Sequence, residues 1–169
     1  MKAYLTKKLE LLLSAVPGGY RVFALYYRFM VGREFKRLPL RAKDRVLFVG
    51  GGALPLSAVY LHRKTGANVD ILDCDERAVR LGRKWIASMG LSHALTMRMG
   101  RGEIAICQHY DRIHIAKQVM PKRRVLEHIL NSVGPKTQVF VRKGRNDETF
   151  SIGDCAYAEE SESACFYIR

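Results

Sequence analysis

The sequence predicts an α/β protein: a doubly wound, mostly parallel sheet with a short helical N-terminal module ahead of it. Three observations lead there. Between Arg45 and Arg142, short apolar runs alternate with amphipathic helical patterns, the rhythm of parallel strands joined by crossover helices. The first run, "RVLFVG", is apolar without alternation, as expected of a strand covered on both faces. That run leads directly into Gly50, Gly51 and Gly52, and Asp73 closes the next predicted strand, 21 positions after Gly52.

Residues 1–43 form the expected helical module. Leu5, Leu9, Leu12, Leu13 and Val16 recur at helical spacing until "PGG" at 17–19 breaks the pattern. Phe23, Tyr26, Tyr27 and Met30 mark a second amphipathic helix, which ends near Gly32. Their aromatic stripe is expected to pack in a core and to border an acceptor pocket.

Residues 44–169 form the expected sheet domain. After the first strand, "LPLSAVYLHRKTG" reads as a helix with Gly66 as its C-terminal cap. "NVDILD" is the second strand. "ERAVRLGRKWIASMG" is a helix that turns Val79, Ile86 and Met89 inward and stops at Gly90. "ALTMRM" and "RIHIA" are the third and fourth strands. "PKRRVLEHILNSVG" is a helix started by Pro121 and stopped by Gly134. "QVFVR" is the fifth strand, and two short strands are expected in the tail. The 169 residues suffice for one domain with its own core.

Charge narrows the partners. The formal net charge is +13, unevenly spread. Residues 1–45 carry eleven Lys/Arg against Glu10, Glu34 and Asp44, whereas the segment from Asp147 is acidic. A basic surface of this strength suits an anionic small molecule or nucleic acid. The clusters "PKRRV" and "RKGR" follow the fourth and fifth strands and are expected on the ligand-binding edge. Cys74, Cys107, Cys155 and Cys165 include no C-x-x-C pair, which argues for reduced thiols and against a zinc site. The histidines show no metal-ligand spacing. No apolar run approaches the ~20 residues of a membrane span, no export signal is evident, and the expected location is cytoplasmic.

The glycine turn followed by a spaced acid points to a Rossmann-like nucleoside site. A dinucleotide fingerprint would read G-x-G-x-x-G, but Pro55 stands at the third glycine position, which weakens NAD and FAD. No G-x-x-x-x-G-K-[ST] is present, which removes a P-loop ATPase. A carboxylate at Asp73 can accept hydrogen bonds from both ribose hydroxyls. A nucleoside without a pyrophosphate fits best, and S-adenosylmethionine (SAM) is the expected cofactor.

These motifs resemble the class I SAM-dependent methyltransferases over residues 44–169. More narrowly, "VLFVGGGALPLS" is similar to the G-x-G-x-L-P-x-[ST] loop of the nicotianamine synthase family. "LDCDERAV" resembles that family's D-x-D segment, and "YDRIHIAKQVM" and "QVFVRKGRN" follow in its order. The resemblance implies a methyltransferase-type sheet, although the synthases transfer the aminocarboxypropyl arm of SAM rather than its methyl. They also carry a larger helical domain than the 43 residues that precede the sheet here.

The expected activity is SAM-dependent methyl transfer to an unidentified anionic acceptor, a small molecule among the candidates. Aminocarboxypropyl transfer is the alternative, and a non-catalytic SAM- or nucleic-acid-binding module is the third reading. The expected cofactor-binding residues are Gly50, Gly51, Gly52, Leu54 and Pro55 at the methionine end and Asp73 at the ribose. Cys74, Asp75, Gly100 and Arg101 are expected around the adenine. Lys117 is expected near the cofactor carboxylate or the acceptor. No catalytic residue is evident, because alignment does most of the work when the acceptor is already nucleophilic.

Overall fold

The computed structural model describes residues 40–143 and the two tail strands, 156–161 and 164–168. The expected helices within residues 1–39, and most of the module at 1–43, lie outside the described residues. In chain order the elements are β1 (Val46–Val49), α1 (Leu56–Thr65), β2 (Val69–Asp73), α2 (Glu76–Ser88) and β3 (Leu95–Met99). A single 3-10 turn follows at Gly102–Ile104. Then come β4 (Arg112–Ile115), α3 (Lys122–Ser132), β5 (Gln138–Arg142), β6 (Ala156–Ser161) and β7 (Ala164–Ile168).

The sheet runs β3-β2-β1-β4-β5-β7-β6. β1 to β5 pair parallel. The tail adds β7 antiparallel to β5, and β6 antiparallel to β7. This is the doubly wound order, with its switch point at β1, which pairs with both β2 and β4. Val49 stands beside Leu72 on one side and Ile115 on the other. The carboxyl ends of β1, β2 and β4 therefore open at one level, where ligands of such sheets bind.

The unbroken apolar run of β1 is explained by its burial: all four residues are covered. Side chains alternate across the pleat. Val46 and Phe48 join α1 and α2 in one core, with Leu61, Val79 and Ile86. Leu47 and Val49 join the other core, with Val125, Leu126, Ile129 and Leu130 of α3. Tyr167 of β7, 2% exposed, closes that second core. Burying a side chain of this size stabilises by about 1.5–3 kcal/mol, so each helix is held chiefly by its apolar stripe.

The punctuation expected from sequence is found, with small adjustments. Gly66 caps α1 in the left-handed conformation at φ 76°, its N–H donating to His62 O. Gly90 adopts φ 69° after α2. Pro55 and Pro121 are the cap residues of α1 and α3 rather than their first helical residues, so each lost N–H falls where no helical partner exists. Met89 is only half-buried, because α2 has already ended at Ser88 and Met89 is its cap. Among the described residues, no helix is long and apolar enough to cross a membrane.

Candidate functional site

The glycine loop leaves β1 and turns at once. Gly50 has φ 87° and Gly52 has φ 66°, a backbone region that side chains with a Cβ rarely adopt. Gly51 is required for a different reason: a Cβ there would run into the Ile71 side chain of β2. The loop is therefore pressed against the protein's own core, and close packing alone accounts for that glycine. The N–H groups of Gly50 and Gly51 both point to Leu72 O, at 2.7 and 3.4 Å, which draws the loop towards the end of β2.

Asp73 completes the turn. One of its carboxylate oxygens accepts from the Gly52 N–H at 2.7 Å, and the other accepts from the Asp75 N–H at 3.0 Å. An ionised carboxylate offers about four lone-pair directions, so these two bonds leave capacity for further donors. Asp75 has a separate duty. It is the N-cap of α2, its side chain accepting from the Arg77 and Ala78 N–H groups at 2.9 and 3.2 Å. Asp75, not Asp73, is therefore the residue that caps the helix.

Around the expected adenine side, the Gly100 N–H donates to Asp73 O at 2.9 Å, so the ends of β2 and β3 are adjacent. Cys74 is exposed. Arg101 points out to solvent and pairs with Glu103 at 3.0 Å, and this contact holds the Glu103 carboxyl below the usual carboxylate range. Met99, Ile104 and Ile106 are largely exposed. Sequence reading passed over this apolar rim beside Gly100; its only signal was apolar residues persisting after β3 had ended.

On the other side of the loop, the residues after β4 divide sharply. Lys117 and Gln118 are exposed, and Gln118 reaches towards Gly50 O at 3.4 Å. Lys122, in the "PKRRV" cluster expected on the ligand-binding edge, is buried at 5% exposure. Its ammonium donates to Lys117 O and Arg142 O, both at 3.0 Å, tying the turn after β4 to the end of β5. Arg142, in the "RKGR" cluster expected on the same edge, is 8% exposed. Of the basic residues in that first cluster, Arg123 and Arg124 face solvent.

Among the described residues no group of three metal-ligating side chains is present. His114 is 3% exposed and stacks between Phe48 and Phe140, with ring centroids at 4.4 and 4.7 Å. Burial, and then the nearby Arg142 charge, push its pKa well below the ordinary histidine value, so it is a neutral ring. Burial pushes the Cys107 thiol up to about 11, far from a nucleophile's value.

The carboxyl ends of β1, β2, β3 and β4 meet at the glycine loop. Gly50, Gly51, Gly52, Asp73, Gly100 and Gln118 are adjacent there through these hydrogen bonds. Leu54 and Pro55 are buried behind the loop.

No protein-family model matches the chain. Among curated proteins it is similar to the L-histidine 2-aminobutanoyltransferase of Pseudomonas aeruginosa, 36% identical over 112 residues, which are 66% of this chain and 43% of that protein. The protein of the same name from Yersinia pestis is 30% identical over 128 residues, 76% of this chain and 47% of that one. The chain thus spans less than half the length of these relatives. Among solved structures, a point mutant of MtNAS in complex with S-adenosylmethionine matches with a TM-score of 0.77 at 20% identity, covering 99% of this chain and 74% of that one. An RNA methyltransferase from Salinibacter ruber in complex with S-adenosyl-L-homocysteine matches with a TM-score of 0.65 at 18% identity, covering 82% and 87%. The fold is that of the class I SAM-dependent methyltransferases.

Proposed function

We propose that this chain binds SAM over the glycine loop and transfers the 2-aminobutanoyl (aminocarboxypropyl) arm to an amine of an amino acid. The observation that carries the choice of group is the likeness, at 36% and 30% identity, to two proteins named for 2-aminobutanoyl transfer to L-histidine. This favours the alternative drawn from the glycine loop over methyl transfer.

The residues present fit SAM. Asp73 keeps lone pairs for ribose hydroxyls after its two backbone bonds. The loop of Gly50 to Gly52 carries no side chain that would stand over the β1 end. The exposed Met99 and Ile104 beside Gly100 offer apolar surface for an adenine ring. No pyrophosphate-binding third glycine is needed for such a ligand. Gly50, Gly51 and Gly52 then meet the methionyl end, and Asp73 meets the ribose. Lys117 and Gln118 stand on the β4 side, where the acceptor enters.

Bound SAM supplies a sulfonium whose γ-carbon an amine can attack, forming an N–C bond, breaking the S–C bond, releasing methylthioadenosine and leaving the amine to shed a proton. The chain's part is positioning: both partners are held in line across the loop, and alignment of this kind is worth several kcal/mol of barrier. Exposed Arg123 and Arg124 add a positive field that draws a carboxylate-bearing acceptor towards the edge.

A second reading, methyl transfer, keeps support from the Salinibacter ruber match, which covers most of both chains. One assay decides between them. The protein is incubated with SAM and L-histidine, and the nucleoside product is identified by mass. Methylthioadenosine with aminobutanoyl-histidine is expected; S-adenosylhomocysteine would overturn the reading.

A further inference from the structure

Gly82 stands in the interior of α2 and is buried there. Glycine is a poor helix residue, because it loses the most backbone freedom on folding and adds no packing. Its neighbours show what the missing side chain allows. A Cβ at residue 82 would run into Met97 Sδ of β3, and it would stand 3.1 Å from Met97 Cε and 3.3 Å from Gly52 O. The same Met97 Cε would stand 3.5 Å from a Cβ at Gly51. The end of the Met97 side chain therefore fills the space between α2 and the glycine loop.

Met97 has little room to retreat. It is 3% exposed and belongs to the core that includes Ile71, Val79 and Ile86, and such interiors are close-packed. α2 is also fixed where it meets β3: Arg83, next to Gly82, donates from Nε to Met97 O at 2.8 Å. At the start of the helix, the Asp75 N–H donates to one oxygen of the Asp73 carboxylate. The other oxygen accepts from the Gly52 N–H. Gly52 is thus held by Asp73 through its N–H while its carbonyl oxygen lies against Gly82. Volume added at residue 82 presses on Met97 and on Gly52 O, and both lead to the loop.

We propose that Gly82 is a positioning residue of the SAM site: the missing side chain at this point of α2 leaves room for Met97 and so sets the place of Gly52 beneath the cofactor. The effect on SAM rests on the reading above that SAM lies over the glycine loop; the effect on Gly52 does not.

The test uses the full chain and the variants Gly82→Ala, Met97→Val and the double variant. Valine lacks the Sδ and Cε that the new methyl meets, so the double variant keeps nearly the parent's side-chain volume, the exchange that cores tolerate best. The chemical shift and hydrogen-exchange rate of the Gly52 amide are followed by NMR, and SAM affinity by calorimetric titration. Gly82→Ala gains helix propensity but overpacks the contact, so its effects on stability oppose each other. Its Gly52 amide shifts and exchanges faster, and SAM binds roughly three- to thirtyfold more weakly, as expected when a bond to a charged group is strained. Met97→Val empties the space behind the loop and also speeds Gly52 exchange. The double variant refills that space and returns the Gly52 amide and SAM affinity towards the parent's, below either single variant's loss. A glycine that served only helix packing would leave the Gly52 amide where it is. A folded Gly82→Ala protein with a parent-like Gly52 amide overturns the proposal, as does a double variant whose losses are the sum of the two. If Gly82→Ala does not fold, Met97→Val against the double variant decides: slower Gly52 exchange in the double variant upholds the proposal, and equal exchange overturns it. If the parent binds no SAM, the SAM reading fails, and the Gly52 amide alone decides whether Gly82 sets the loop.

Discussion

Asp73 and Gly52, 21 residues apart, are joined by a 2.7 Å hydrogen bond from the Gly52 N–H to the Asp73 carboxylate. The carboxylate that we propose meets the ribose therefore also shapes the glycine loop. Asp73→Ala removes both effects. Each hydrogen bond to a charged group contributes about 1.5–3 kcal/mol, so SAM affinity should fall roughly ten- to a thousandfold. Asp73→Asn keeps one good acceptor oxygen and should lose less. Calorimetric titration of SAM ranks the two. A folded Asp73→Ala protein that binds SAM like the parent would remove Asp73 from the site.

Asp75 should separate from Asp73 in the same experiment. Its side chain caps α2 through the Arg77 and Ala78 N–H groups. Asp75→Ala should cost about 1 kcal/mol of stability and leave SAM affinity near the parent's. Asp75→Ser should recover most of the loss, because serine caps well. Urea denaturation measures the first effect. A large loss of SAM affinity with unchanged stability would move Asp75 from the helix to the ligand.

Lys122→Met tests the tie between β4 and β5. The variant keeps the buried apolar stem but removes the donor shared by Lys117 O and Arg142 O. Stranding a buried acceptor costs about 1–3 kcal/mol. Arg123→Met, next along the helix, breaks only an exposed pair with Glu127 and should cost about 0.5 kcal/mol or less. Equal destabilisation of the two variants in denaturant melts would show that Lys122 carries no structural load.

His114 makes stability depend on pH in one direction. Its folded pKa lies well below the ordinary value of 6.5, so the unfolded chain takes up a proton that the folded chain refuses. The contribution is present above pH 6.5 and lost as pH falls, at up to about 1.4 kcal/mol per pH unit. His114→Phe fits the stack between Phe48 and Phe140 and removes this component. The parent-minus-variant difference in unfolding free energy should therefore shrink steadily below pH 6.5. A difference that does not vary with pH would mean that His114 titrates normally.

The architecture was legible because it depends on local pattern. Unbroken apolar runs, as at Val46–Val49, require a strand covered on both faces, and the runs from β1 to β5 lie within a residue or so of their expected places. Gly66 and Gly90 were readable as helix stops because only a residue without a Cβ takes their positive φ cheaply. The turn at Gly50 to Gly52 and the acid at Asp73 were readable for a related reason: their spacing is set by one helix and one strand. Lys122 and Arg142 were not readable. Each sits in a run of basic residues, and nothing in such a run marks which member points inward.

The sequence by itself determined the order of strands and helices, the glycine turn and the position of the acid at the end of β2. Periodicity and backbone freedom act over a few neighbouring residues, so a linear reading captures them. Only the tertiary structure decided that Asp73 binds the Gly52 N–H, that Asp75 rather than Asp73 caps the helix, and that His114 lies between two phenylalanines. It also placed Lys122 under the carbonyls of Lys117 and Arg142. Each of these is a contact between residues far apart in sequence or a choice between near neighbours of the same type. Such contacts are set by how the β-strands register and which face of the sheet each side chain leaves, and the pairing of distant strands is not written in any single stretch of the chain.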